Sequence, residues 1–244
     1  MKFLLDSVRR VSKEGALLLP KYDFVYAFLD VADFHNWQCG EREDSIVPVE
    51  YAAFKPGHLT PQCVPVGSVE FCLEWYRQMG VASVQPLNIP AYLDAFVKRQ
   101  VIRTDKLVYN GRKYFGKSMD TIKSDTTGWY YEYDGSTPMF FTEAVNDISS
   151  EWRMFVCNGE VRGIKCYAGS PLITPDMGYC REIVDAVQKQ RILRAYTLDL
   201  MVQQSGNTDI LELHDFFACG LYGFSDPTTL RQMALLTQRR LLGI

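Results

Sequence analysis

The feature that most constrains this fold is a change of period near residue 107. From there to residue 215, apolar and polar residues alternate in short runs. The runs are broken by Asn110-Gly111, Asp134-Gly135, Asn158-Gly159 and Ser205-Gly206-Asn207. Asn-Gly and Asp-Gly supply the positive φ that tight hairpin turns need, so each break predicts two neighbouring antiparallel strands. Strands joined this way predict antiparallel sheets rather than a doubly wound parallel one. In the third hairpin Trp152, Met154, Val156 and Val161 share a face assigned to the core. Arg153 falls on the opposite face, beside Phe155 and Arg162.

Helical patterns surround these runs. Ser68 as N-cap and Gly80 as stop bound a helix with Val69, Cys72, Trp75 and Met79 on one face. "AYLDAFVKRQ" (91–100) reads as a short helix, and 176–192 and 227–242 as longer ones. The last opens with Asp226-Pro227, an N-cap followed by proline at the first helical position. Residues 1–66 are mixed, punctuated by Pro48, Pro56, Pro61 and Pro65. The expected class is α+β.

With 244 residues the chain has room for one large domain or two small ones. A net charge of −3 and a pI near 5.7 argue against a general nucleic-acid binder. Seven cysteines, odd in number and without a Cys-x-x-Cys pair, predict reduced thiols in a cytoplasmic compartment and no zinc site of the usual spacing. No apolar run approaches a membrane span, and "MKFLLDSVRR" is too weakly apolar for a signal peptide. The three histidines have no Gly-x-Ser-x-Gly nucleophile motif to serve.

The final hairpin sets acids on both strands. If its loop is Gln204–Asn207, Gln203 pairs with Thr208 and Asp199 lies directly opposite Glu212, with His214 on the same face. Like charges placed opposite each other are destabilising. A cation between them removes that cost, and carboxylate oxygens suit Mg²⁺. On the hairpin alone, a solvated edge with both acids splayed into water explains the pattern at least as well.

"GRKYFGKS" (111–118) matches Gly-x-x-x-x-Gly-Lys-Ser, which in a P-loop cradles phosphates at a helix N-terminus. Its context is poor, because Gly111 sits in a turn and "MDTIKSDTTG" is too short and polar for the helix required. A different reading takes Lys117 at the end of a strand and Lys123 one loop later as two ammonium groups held together by a polyphosphate; two solvated lysines are the plain alternative. Arg153 joins them if its face turns to the same cleft, since a guanidinium grips phosphate with a planar fork. Glu143 in "FFTEAV" ends an apolar strand, either beside a nucleotide or in solvent.

In their order and spacing "PVGSVEF", "FGKSMDTIK", "TEAVNDISSEWRMFVCNGEVRGIKCYAG" and "LELHDFFACGLYG" resemble an ATP-grasp domain over residues 65–224. The likeness is to the clade named for one arginine and two lysines. The resemblance implies two α+β subdomains with mainly antiparallel sheets clasping a nucleotide. It implies a preceding region at 1–85 and an ATP-grasp region at 86–244, split near 142–146. ATP and Mg²⁺ are the implied cofactors. Lys117 and Lys123 are implied at the phosphates, Lys117 also towards the adenine. Thr142, Glu143, Ala144 and Val145 are implied as the adenine hinge, with Glu143 near the ribose or the exocyclic amine. Arg153 is implied to face the phosphates or the acyl intermediate, and with Lys123 to be catalytic. Asp199 and Glu212 are implied to hold the metal. Family members usually carry Asn where this chain has His214, which leaves the third contact between His214 and Asp215. A second departure is the phosphate loop 118–128, with glycine only at its end.

The implied activity is that of an ADP-forming carboxylate–amine (or thiol) ligase working through an acyl phosphate. Its partners are small-molecule or peptide carboxylates and amines, with no nucleic acid or membrane. Lysines and Mg²⁺ act on the transferring phosphoryl group and arginine on the developing oxyanion. The alternative of another class is a nucleotide-responsive ATP-binding module without turnover; a P-loop NTPase using 111–118 is a weaker one.

Overall fold

A computed structural model describes residues 1–12 and 15–244. It divides into two compact units, Met1–Ser83 with Phe216–Ile244, and Val84–Asp215. The expected partition places 216–244 with the second region; here they cluster with the first.

The first unit begins with β1 (Lys2–Ser12), β2 (Gly15–Pro20), α1 (Asp23–Cys39), β3 (Ser45–Val49), β4 (Cys63–Val66) and α2 (Val69–Gln78). The first half of β1 pairs in parallel with β3 and β4, and its second half pairs antiparallel with β2. Parallel neighbours need a crossover, which α1 supplies between β1 and β3. This order lies inside the stretch that reads as mixed in the sequence. The helix start carries no signal: its N-cap, Tyr22, makes no side-chain cap. Capping does mark α2, where the Ser68 hydroxyl accepts from Phe71 N at 3.2 Å. Cys72 and Trp75 are buried as expected, and Phe71 and Tyr76 join them.

The second unit contains β5 (Val101–Leu107), β6 (Tyr114–Ser118), β7 (Gly128–Tyr130), β8 (Tyr133–Glu143), β9 (Ile148–Cys157), β10 (Glu160–Gly169), α3 (Met177–Gln190), β11 (Ala195–Gln203) and β12 (Thr208–Asp215). The chain then returns to the first unit with α4 (Pro227–Leu242). Asp226 caps α4 through Thr228 N and Thr229 N, with Pro227 in the first turn as the sequence predicts. Residues Ala91–Phe96 form a 3₁₀ segment rather than an α-helix.

Two antiparallel sheets make up the second unit, in the orders β5-β8-β6-β7 and β10-β9-β11-β12. The Asn158-Gly159 hairpin is present as predicted, with φ of +53° and +79° and Cys157 opposite Glu160. The hairpins expected at 110–111 and 134–135 are not. Gly111 does turn the chain, with φ +82°, but β8 enters between β5 and β6. Asp134-Gly135 lies inside β8, and β7 pairs with β6 instead. Turn chemistry fixes a local reversal; it does not choose which strand fills the neighbouring position.

One face of β9, β11 and β12 presents Trp152, Met154, Val156, Leu198, Leu200, Ile210 and Leu213 to Ile183, Val184 and Val187 of α3. Val161 packs against the same cluster. The opposite face carries the charged residues.

Candidate nucleotide and metal site

Period two on β11 sends Leu198 and Leu200 to the core and Asp199 to the other face. On β12, Ile210 and Leu213 both face the core although they are three residues apart. A bulge at Leu211 makes this possible: Leu200 pairs with Ile210, Asp199 pairs with Glu212, and Leu211 is the extra residue. The bulge turns Glu212 and His214 away from the core. The opposition of Asp199 and Glu212 is therefore present, but not by the turn the sequence suggests. Gln203 N donates to Asn207 O at 2.9 Å, so the loop is Gln204–Gly206. The shorter loop shifts the register by one, and the bulge shifts it back.

Asp199, Glu212 and His214 bring a carboxylate oxygen, a second carboxylate oxygen and a ring nitrogen within 4.8 Å of one another. Asp215 pairs with Tyr196, on the core side of β11, so it does not share the Glu212 face. Arg153, opposite Asp199 on β9, grips that carboxylate with two bonds of 2.8 Å (Nε to Oδ1) and 2.6 Å (Nη2 to Oδ2). Both residues are buried. A buried ion pair of this geometry satisfies each charge against its partner, which offsets desolvation. Lys117, on β6, donates to Glu212 Oε2. His214 Nε2 lies 2.5 Å from Glu212 Oε1.

Burial draws the Lys117 ammonium down to about 8, with the positive charges of Arg99 and Arg153 adding to the effect and Asp199 opposing it. Burial also draws His214 down to about 4; Arg153 and Lys117 reinforce this, while Asp199 and Asp215 pull the other way. At neutral pH the imidazole is uncharged, the form that ligates metals.

A cavity of about 300 Å³ opens between the two sheets of this unit. Ligand pockets begin at about this size. Thr142, Glu143, Ala144 and Val145 line it together, as do Lys117 and Glu212. Arg153, Asp199 and His214 are not in the lining, but Asp199 and His214 adjoin Glu212 and the Arg153 guanidinium lies 5.9 Å from the ring centre of Tyr167, both lining residues. Lys123 is not in the lining; it is an exposed residue on the 119–127 loop with φ +55°. Glu143 is engaged by Arg112 Nη1, at 2.9 Å to each carboxylate oxygen.

Several lining residues escape a reading of the sequence. Tyr167 is the extra residue of a second bulge, between Cys166 and Ala168 on β10. Burial, with the carboxylates of Asp199 and Glu151, holds its phenol well above the usual range, so it stays protonated. Arg99 lines the cavity while bonded to Asp209 at 2.7 Å and to Ile210 O at 2.6 Å. Phe115 and Trp129 meet edge to face at 5.0 Å on the β6–β7 side. Tyr167 sits at a bulge that no motif announces, and Arg99 has no spacing to mark it. Phe115 and Trp129 lie in adjacent aromatic pairs, Tyr114-Phe115 and Trp129-Tyr130, which do not tell which ring of each pair faces the cavity.

The match to Gly-x-x-x-x-Gly-Lys-Ser is incidental. Tyr114–Ser118 is a strand, and no helix follows it before β7. The loop after it is organised by hydroxyls instead of glycine: Ser118 Oγ accepts from Asp120 N and Thr121 N, both at 3.1 Å.

Comparison with known proteins fixes the family. A family model described as an ATP-grasp domain, family 2 of the clade named for one arginine and two lysines, matches residues 77–232. This chain is an ATP-grasp protein. Its fold is like that of the D-cycloserine synthetase DcsG, at 11% identity with 98% of this chain and 99% of that one covered and a TM-score of 0.58. It is also like the D-alanine–D-alanine ligase of Bacillus anthracis in complex with ATP, at 10% identity, 99% and 98% coverage and a TM-score of 0.51. No curated protein sequence matches. ATP-grasp enzymes bind ATP, and the membership supports ligase chemistry in general terms. In this ATP-grasp protein, no helix among the described residues is long and apolar enough to cross a membrane.

Proposed function

We propose that this protein is an ATP-dependent, ADP-forming carboxylate–amine ligase acting through an acyl phosphate in the cytoplasm. One observation carries the reading: Lys117 and Glu212 meet in the lining of the same cavity as the 142–145 segment, with Asp199 and His214 beside Glu212 and Arg153 bonded to Asp199. In this reading the adenine lies against Thr142–Val145 with Phe115 and Trp129 beside it, and the phosphates extend towards Lys117. Glu143 meets the ribose or the exocyclic amine only by exchanging one of its contacts with Arg112. Lys123 reaches the phosphates from the 119–127 loop.

The donor set suits a divalent cation. Two carboxylates face each other beside an imidazole whose pKa burial lowers, so the donor set favours a cation with two negative charges and one ring nitrogen. Asp199, Glu212 and His214 would hold Mg²⁺, which when bound neutralises charge on the transferring phosphoryl group. Lys117 exchanges Glu212 for phosphate oxygen, which frees the carboxylate for the metal. Arg153, held by Asp199, would face the phosphates or the oxyanion that develops when an amine attacks the acyl carbon. The carboxylate and amine are those of small molecules or peptides.

The experiment is thermal unfolding with Mg-ATP in the wild type, Lys117→Ala and Lys123→Ala, followed by ADP release with panels of carboxylates and amines. At about 100 times its dissociation constant the ligand adds about 2.7 kcal/mol to the wild type. The shift falls in both folded variants, most in Lys117→Ala. An unshifted wild type sinks the nucleotide site. A shift with no ADP release on any pair of substrates replaces the ligase with the binding module.

A further inference from the structure

The geometry points to a Zn²⁺ site at the C-terminal end of α1, in the first unit and separate from the nucleotide cavity. His35 and Cys39 lie four apart on α1, so their side chains sit one turn apart on the same face. Gly40 then ends the helix in the left-handed region at φ +71°, a conformation glycine adopts without strain. The chain reverses there and returns along the helix. Asn36 fixes the return: its Nδ2 donates to Asp44 O at 2.9 Å and its Oδ1 accepts from Asp44 N at 2.8 Å. Asp44 is held further by Arg231, which donates to its carboxylate at 2.7 and 3.0 Å. The residue before it, Glu43, is thereby brought beside His35.

The three side chains converge on a volume of atomic size. His35 Nε2 lies 3.0 Å from Glu43 Oε2 and 3.6 Å from Cys39 Sγ. One ligand atom from each residue falls within 4.8 Å of the others. With Zn–N near 2.0–2.1 Å and Zn–S near 2.3 Å, a tetrahedral centre needs about 3.6 Å between sulfur and nitrogen and about 3.3 Å between nitrogen and oxygen. The first separation is already met, and the second asks for an opening of about 0.3 Å. Cys39 and Glu43 are exposed, which leaves the fourth position to water.

The donors also choose the metal. A thiolate with an imidazole is soft enough to favour Zn²⁺ over Mg²⁺, whereas the Asp199–Glu212–His214 set has two hard oxygens. Once occupied, the site ties the end of α1 to the turn that leads into β3. The absence of Cys-x-x-Cys hides it in the sequence, because its ligands come from one helix and the reversal after it.

The test uses the full chain, stripped of metal and without nucleotide, titrated with Zn²⁺ by calorimetry and with Co²⁺ as an optical probe. A thiolate-to-cobalt absorption band is expected, together with one equivalent of bound Zn²⁺ that is lost in Cys39→Ser. Cys39→Ser abolishes the band, and His35→Ala and Glu43→Gln each weaken Zn²⁺ binding at least tenfold while the metal-free melting temperature stays at the wild-type value. A wild type with no thiolate band overturns the proposal, as does a band that survives in Cys39→Ser.

Discussion

The two faces of the β10-β9-β11-β12 sheet are made by the same strands and alternate residue by residue, yet they are held together by different physics. On one face Leu198, Leu200, Met154 and Leu213 need no partner beyond contact, and burial of apolar area stabilises them. On the other, Asp199 and Arg153 are also buried, and their charges are held against each other as an ion pair. A gap in the first face costs contact; a gap in the second leaves a charge without water or counter-ion. The comparison shows that neither face is soft, and that only the second holds the groups proposed for chemistry.

The severest way to break this contrast is Leu213→Asp, which sets an unpaired carboxylate among the buried side chains of the apolar face. The cost is on the order of 5 kcal/mol or more. Urea unfolding measures it; a variant that keeps wild-type stability refutes the assignment of that face to the core. Next is Arg153→Ala, which strands Asp199 and should cost about 3–5 kcal/mol. The double substitution Arg153→Met with Asp199→Leu should recover most of that stability without restoring the response to Mg-ATP. Recovery of both would mean that the polar face is structural.

On the apolar face, Leu198→Ala should cost about 2–5 kcal/mol through lost transfer and a residual cavity. The folded fraction should still show the Mg-ATP shift, because the side chain points away from the cavity. The smallest effect lies outside both faces, at His58 in the first unit. Burial, then the charges of Lys55 and Lys2, depress its pKa, and its Nδ1 accepts from Lys55 N at 3.2 Å. The unfolded chain therefore binds the proton more tightly, so stability falls as pH drops through about 6.5. His58→Gln should flatten that slope in denaturation curves between about pH 7 and 5; an unchanged slope rules out His58 as its source.

Much of this was legible in the chain itself. The Asn158-Gly159 hairpin, the Ser68 and Asp226 caps and the core alternation of Trp152, Met154 and Val156 follow from local chemistry, which a short window of sequence contains. Glu143 stood out as the end of an apolar strand and Lys117 as one of two lysines with Lys123, whereas Thr142, Ala144 and Val145 were marked only by the family resemblance. The pairing of Asp199 with Glu212 was anticipated from a loop one residue too long, and only the unforeseen bulge made it true.

What the sequence by itself determined is the period, the turns and the residue types available to each face. Tertiary structure decided the rest: the entry of β8 between β5 and β6, the bulges at Leu211 and Tyr167, and the place of Arg99 in the cavity. The physical reason is range. A turn is chosen by the φ its own residues allow. A bulge or a strand order is chosen by which distant side chains the core admits, and Ile210 and Leu213 both had to face α3 before Glu212 could face the cavity.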